Sequence, residues 1–197
     1  MADYHYLLAP EVMYRGKAPD QSEMKMNQLI QQYVPGQYAA IGLIGIPMSR
    51  SSISPSAASE NPNAIRNIWK SFSTYNIDFD IDLSDLDIVD MGDIKMHVTD
   101  IPQCHRNIEL GIVEVLQANP ETLPISIGGD HSITCPIVKG LKRSHDSCTI
   151  GIIQFDTHFD LRSLEDGGPS NGTPIRGLIE SGTIQGQHVV NIGLHGY

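Results

Sequence analysis

The stretch from Leu123 to Asp160, LPISIGGDHSITCPIVKGLKRSHDSCTIGIIQFDTHFD, decides how the rest of the chain is read. It opens with an apolar run, Leu123 to Ile127, and closes on a second, Thr149 to Phe155. Neither run alternates polar with apolar residues, so each predicted strand is buried on both faces, the mark of a parallel sheet covered by helices. Between them, His131 to Lys142 places Ile133, Ile137, Val138 and Leu141 at helical spacing. Strand, helix, strand in that order reads as part of a doubly wound α/β sheet. A polar segment follows each run directly: Gly128 to Ser132 (GGDHS) after the first, Asp156 to Asp160 (DTHFD) after the second. Ligands of open α/β sheets bind in the crevice beyond the carboxyl ends of the strands, so both segments are placed at one edge.

Working outward, Ala39 to Ile46 (AAIGLIGI), Leu86 to Val89 and Val189 to Leu194 are further predicted strands. A helix is predicted between Pro102 and Pro120, where Ile108, Ile112, Val115 and Leu116 share one face and Asn119 with Pro120 supplies the stop. Another runs from Pro174 to Glu180, with Pro174 in the first turn and Gly182 just past the end. The expected architecture is a mainly parallel, doubly wound α/β sheet over residues 39–197, with helices on both faces. Residues 1–38 precede it as an N-terminal arm, helical over Tyr4 to Tyr38. Met48 to Asn63 (MSRSSISPSAASENPN) is rich in Ser, Asn and Pro; the helix start signalled by Pro62, Ala64, Ile65 and Trp69 makes it a surface loop within the domain. Phe79 to Asp90 (FDIDLSDLDIVD) lacks the Gly and terminal Glu of a calcium-binding EF-hand and reads as a solvated strand and turn.

Were the strand ending at Phe155 to continue extended, Asp156, His158 and Asp160 would point to one side, because side chains alternate with period two. His131 from the neighbouring strand end then makes two imidazoles and two carboxylates. That mixed nitrogen and oxygen set suits a divalent first-row metal such as Mn2+ and is too rich in imidazole for calcium or magnesium. Taken singly, each segment has a plainer explanation. A lone His after Gly-Gly-Asp is commonly a helix-start residue, Asp130 reads as a helix cap or a support for a ligand, and DTHFD alone is a polar loop. Two such segments at adjacent strand ends favour the metal site.

Composition narrows the partners. The chain has 197 residues, a formal net charge of -10 and only 13 Lys and Arg, which argues against nucleic acid, since phosphate neutralisation needs clustered cations. Cys104, Cys135 and Cys148 fall in no CxxC or Cys/His finger spacing, so neither a disulfide framework nor a structural zinc site is expected, and a cytoplasmic location is. The N-terminus MADYHYLLAP carries Asp3 where a signal peptide has basic residues, and Pro10 cuts its apolar run. The longest apolar stretches are far below the roughly 20 residues that span a bilayer, so no membrane partner is expected.

GGDHS, a strand and then D-T-H-F-D together resemble the paired metal motifs of the ureohydrolase superfamily, which includes arginase, agmatinase, guanidinobutyrase and formimidoylglutamase. The usual second motif is D-A-H-x-D, from which Thr157 departs outside the ligand positions. The resemblance continues in Gly45 to Pro47 (GIP), Pro62 to Arg66 (PNAIR), Asp90 to Asp93 (DMGD), Gly168 to Ile175 (GPSNGTPI) and Ile192 to Gly196. It implies that His131 and Asp160 bind one Mn2+, that His158 binds a second, and that Asp156 bridges them. It also implies that a bridging water, its pKa lowered, attacks an amidine or guanidine carbon. Relatives are commonly trimers or hexamers, which implies a homo-oligomer.

Guanidine hydrolases of the agmatinase and guanidinobutyrase type, which release urea, carry His where this chain has Asn171. An amide cannot exchange protons as imidazole does. Formimidoylglutamases resemble the chain in a Ser/Asn-Gly-Thr-Pro run with an Arg soon after, here Arg176, and in the order of Thr74 to Leu86 (TYNIDFDIDLSDL) before DIVDMGD. Their substrate, N-formimidoyl-L-glutamate, has two carboxylates, and Arg176 or Arg162 is placed to bind one bidentately. Family members carry a D-x-D pair in their C-terminal third, and none follows Asp160 here. The expectation is therefore a fold incomplete at its C-terminus, with an apolar sheet edge prone to self-association. A truncated record of an active enzyme is the favoured account, over a split protein or a non-catalytic relative acting as a binding partner.

Overall fold

The apolar runs become strands, and most of them pair as parallel neighbours. The computed structural model describes residues 4–10 and 23–195; residues 1–3 and 11–22 of the expected N-terminal arm and Gly196 of the Ile192 to Gly196 run lie outside the described residues. In chain order the elements are β1 (Leu7–Leu8), α1 (Met26–Leu29), β2 (Gln31–Gln32), β3 (Ile41–Ile46), α2 (Asn61–Ile68), β4 (Tyr75–Asn76), β5 (Ile81–Asp82), β6 (Ile88–Ile94), α3 (Ile101–Ala118), β7 (Leu123–Gly128), α4 (Thr134–Ser144), β8 (Ile152–Phe155), α5 (Pro174–Glu180) and β9 (Val189–Ile192). The main sheet has the order β1-β6-β3-β7, with β2 also on β6. In it β3 runs parallel to both β6 and β7, while β1 is antiparallel to β6. The β8 and β9 strands form a separate parallel pair.

Helices cover both faces of the main sheet. On one side α3 buries Cys104, Ile108, Ile112, Val115 and Leu116 against Ile44, Ile46, Val89 and Met91, and Ile137 and Leu141 of α4 pack at its margin. Asp100 starts α3 by accepting a hydrogen bond from the N–H of Gln103, with Pro102 in the first turn where its missing N–H costs nothing. On the opposite face Ile30, Leu43, Trp69 and Ile88 gather with Met26 of α1 and Ile65 of α2.

Two expectations need correction. The helical N-terminal arm is, where described, a two-residue strand, a one-turn helix and another two-residue strand on β6. The edge of β6 offers unpaired backbone groups, and Leu7 joins the core beneath α3. Gly92, at φ 97, permits the close approach: a Cβ there would lie 2.0 Å from the Leu8 carbonyl oxygen. The strand expected to end at Val89 instead runs to Ile94, with Asp90 and Asp93 inside it. Both carboxylates are tolerated because Arg66 of α2, 1% exposed, reaches Asp90 at 2.7 Å and Asp93 at 2.8 Å.

Of the expected surface loop Met48 to Asn63, Met48 is instead part of the core and Ser51 is buried; the remainder leads through a single 3-10 turn, Ala58–Glu60, into α2, which takes in Asn61 to Asn63 with Pro62 near its start. Among the described residues no helix is long and apolar enough to cross a membrane. The three cysteines are free thiols.

Candidate metal centre

Gly128 ends β7, Gly129 turns the chain at φ 57, and Asp130 caps the 3-10 turn His131–Ile133. The Asp130 carboxylate accepts the Ser132 N–H at 3.0 Å through Oδ1 and the Ser51 N–H at 3.1 Å through Oδ2. It thus serves as a cap, and it also ties the 48–63 segment to the turn that carries His131. Behind that turn His105 of α3 lies 3.1 Å from the Ser132 hydroxyl, and burial pushes the His105 imidazole below its ordinary pKa.

The extended continuation of β8 expected through DTHFD does not occur. The strand stops at Phe155, the chain bends at Thr157 and His158, and Asp160 sits at φ 54. The cause is local: the Asp156 carboxylate accepts the N–H of His158 at 2.8 Å, a side-chain turn that replaces ladder pairing. Convergence on one side therefore comes from the turn and not from strand alternation.

The bend brings three of the four candidate ligands together. His131 Nδ1 lies 3.1 Å from Asp160 Oδ2 and 3.4 Å from Asp156 Oδ2. Ligand atoms of His131, Asp156 and Asp160 all fall within 4.8 Å of one another. His158 is outside that group; its Nδ1 faces the other oxygen of Asp156 at 3.4 Å, and its side chain is 78% exposed. Asp156 accordingly stands between two imidazoles with one oxygen toward each. The hydrogen bond to Asp160 raises the His131 pKa above its ordinary 6.5 against the effect of burial, and the charges of Asp160, Asp156 and Asp130 act in the same upward direction.

Donor chemistry and spacing fit a first-row cation. Adjacent donors about 2.2 Å from one ion are about 3.1 Å apart, close to the spacings around His131. The bond from His131 to Asp160 is the interaction such an ion would replace, since imidazole must be unprotonated to ligate.

Two supporting residues escaped the sequence reading. Gln154 of β8 donates to the His158 carbonyl at 3.2 Å and lies 3.4 Å from Asp160 Oδ2, and Asn191 of β9 donates to the same His158 carbonyl at 2.7 Å. Their signal was an amide inside an otherwise apolar run, IIQF and VVNI. The remaining candidates separate. Arg162 and Asn171 line a cavity of about 380 Å3 together with His158 and Asp160. Arg176, on α5, pairs with Glu180 at 2.6 Å and is not among the residues lining that cavity.

A family model described as the arginase family matches residues 39–197. The formimidoylglutamase of Halalkalibacterium halodurans is 49% identical over 156 residues, covering 79% of this chain and 48% of the relative. The crystal structure of formimidoylglutamase from Bacillus subtilis superposes with a TM-score of 0.86 at 38% identity, covering 93% of this chain and 56% of that one. That of Trypanosoma cruzi formiminoglutamase with Mn2+ gives 0.77 at 26% identity, covering 88% and 58%. The chain spans about half the length of the curated relatives it matches.

Proposed function

Because the chain belongs to the arginase family, we propose that it carries the metal site of a hydrolase cleaving the C–N bond of a linear amidine. The substrate proposed is N-formimidoyl-L-glutamate, hydrolysed to L-glutamate and formamide. The observation that carries this reading is Asp156 with one oxygen toward His131 and the other toward His158. In it His131, Asp156 and Asp160 hold one divalent cation and Asp156 with His158 contributes to a second, manganese by likeness to the Trypanosoma cruzi structure. When bound, such a pair makes hydroxide available from water near neutral pH and polarises the amidine.

The chain's own groups do the positioning. Asp130 locks the His131 turn, while the Gln154 and Asn191 amides fix the peptide that carries His158. Asn171 Oδ1 accepts the Ile53 N–H at 3.0 Å, so only its NH2 group remains to donate. A fixed amide donor in place of the imidazole of guanidine hydrolases favours the amidine over agmatine or guanidinobutyrate. Free thiols at Cys104, Cys135 and Cys148 support a reducing, cytoplasmic setting.

The test is release of formamide from N-formimidoyl-L-glutamate, with and without Mn2+, by a full-length version that includes the C-terminal third carrying the D-x-D pair. Manganese-dependent turnover, abolished in His158→Ala, is expected. Faster urea release from agmatine or 4-guanidinobutyrate moves the site to the guanidine hydrolases. Metal-independent or absent turnover of every amidine, with association to a partner chain retained, assigns a binding role.

A further inference from the structure

The run Thr74 to Leu86, TYNIDFDIDLSDL, takes no part in the metal centre. It forms the β4–β5 hairpin, and its tip stands clear of the protein, with Ile77 82% and Phe79 75% exposed. The tip is shaped and not loose. Asn76 Oδ1 accepts the N–H groups of Asp78 at 3.0 Å and Phe79 at 3.1 Å, and the Tyr75 hydroxyl donates to Asp80 at 2.6 Å. A two-stranded hairpin is marginal by itself, and apolar side chains gathered at its tip favour a surface that covers them. Around them stand Asp78, Asp80, Asp82, Asp85 and Asp87, and residues 71–94 contain no Lys, Arg or His. Among the described residues none of these carboxylates has a cation at ion-pair distance.

A cavity of about 540 Å3 with the opposite character opens between α3, α4 and α5. Pro102, Pro136 and Leu164 supply apolar wall, and Arg106 and Lys139 supply charge. The two acids of its lining are neutralised within the chain: Glu109 pairs with Arg143 at 2.8 Å and Glu180 with Arg176 at 2.6 Å. Arg106 is steadied by the Gln103 amide oxygen at 2.8 Å, and Lys139 reaches the Cys135 thiol, contacts that leave both positive charges uncancelled. Among the described residues neither cation has a carboxylate at ion-pair distance. The hairpin follows the turn Trp69–Ser71, and Trp69 packs in the cluster on the sheet face opposite α3. Hairpin and cavity therefore lie on opposite sides of the main sheet, and a contact between them joins two copies head to tail.

We propose that the β4–β5 hairpin of one copy of this chain docks in the α3–α4–α5 cavity of a second. Ile77 and Phe79 enter as the apolar anchor, and the Asp78 and Asp80 carboxylates meet Arg106 and Lys139. The preformed tip lowers the ordering cost of association. Because the two surfaces differ, every copy offers one hairpin and accepts another, so association proceeds beyond a dimer. Ser132, next to His131, is in the cavity wall, which places the neighbour's hairpin behind the turn that carries a metal donor. The contact does not depend on the hydrolase reading.

Sedimentation velocity of the chain carrying Phe155→Glu, which removes the open face of β8 from the measurement, tests the proposal. Concentration-dependent species larger than a dimer are expected. Phe79→Ser with Asp78→Lys on the hairpin, or Arg106→Glu with Lys139→Glu on the cavity, should each weaken association at least about tenfold while the circular dichroism spectrum stays that of the parent. Val34→Ser, exposed elsewhere, should change nothing. A mixture of the hairpin variant with the cavity variant keeps one good contact per pair, so it should give a one-to-one heterodimer that grows no further. Association indifferent to both sets of substitutions, or a mixture that fails to pair, overturns the contact. A chain that is monomeric before any hairpin change overturns it as well and leaves the hairpin to a partner of another kind.

Discussion

Ile44 of β3 and Ile112 of α3, packed in one core, are closed from solvent, whereas Ile153 and Phe155 on β8 stand 69% and 80% exposed. Both regions are short parallel strands rich in Ile and Val, but the main sheet has a helix layer on each face and the β8–β9 pair does not. The inward face of that pair engages His158 and Asp160 through Gln154 and Asn191. Its other face presents the register pairs Ile153–Val190 and Phe155–Ile192 to solvent. The candidate site draws on both regions. His131 comes from the closed one, Asp156 and Asp160 from the open one, and no strand ladder joins β7 to β8 among the described residues. A bound cation would therefore link a stable scaffold to a loosely covered hairpin-sized unit, and metal should steady the two regions unequally.

The contrast breaks most severely at Arg66. Arg66→Ala leaves Asp90 and Asp93 buried without their cation, and a loss of about 3–5 kcal/mol in denaturant unfolding is expected. Next, Ile112→Ala in the closed region should cost about 3 kcal/mol, and Ile153→Ala in the open one no more than about 0.5 kcal/mol. Equal costs would mean that β8 is covered in solution.

Manganese at one hundred times its dissociation constant should add about 2.7 kcal/mol, with amide-exchange protection rising more in β8 and β9 than in α3. Its pH dependence has a definite sign. The raised pKa of His131 gives the metal-free chain stability that is complete below the ordinary value of 6.5 and is lost as pH rises through the folded value. Manganese competes with that proton, so its affinity should climb over the same interval, as metal titrations at successive pH values will read. Smallest in stability is Phe155→Glu. It should leave the unfolding midpoint nearly unchanged while reducing concentration-dependent self-association in sedimentation velocity.

The layered α/β arrangement and the edge that holds GGDHS and DTHFD were legible from the continuous apolar runs, but the burial on both faces expected of the two deciding runs does not hold, since Leu123 and Ile125 of β7 and Ile153 and Phe155 of β8 are exposed on one face. The bend within DTHFD was not, since it depends on one carboxylate accepting its neighbour's N–H, which strand periodicity does not register. Asp90 and Asp93 sit in a strand whose length was underestimated, because a buried charge betrays itself only once its partner Arg66 is located. The N-terminal strands are two residues long, too short to show any period. The 48–63 segment reads as bland polar loop, and only its stitches through Ser51 to Asp130 and Ile53 to Asn171 place it beside the site.

Crystals of the chain soaked in Mn2+ and measured at the manganese absorption edge give the most direct test of the metal centre. An anomalous peak about 2.2 Å from donor atoms of His131, Asp156 and Asp160 is expected. A map with no peak among those residues, or manganese bound elsewhere while the His131 imidazole stays on Asp160, would contradict it.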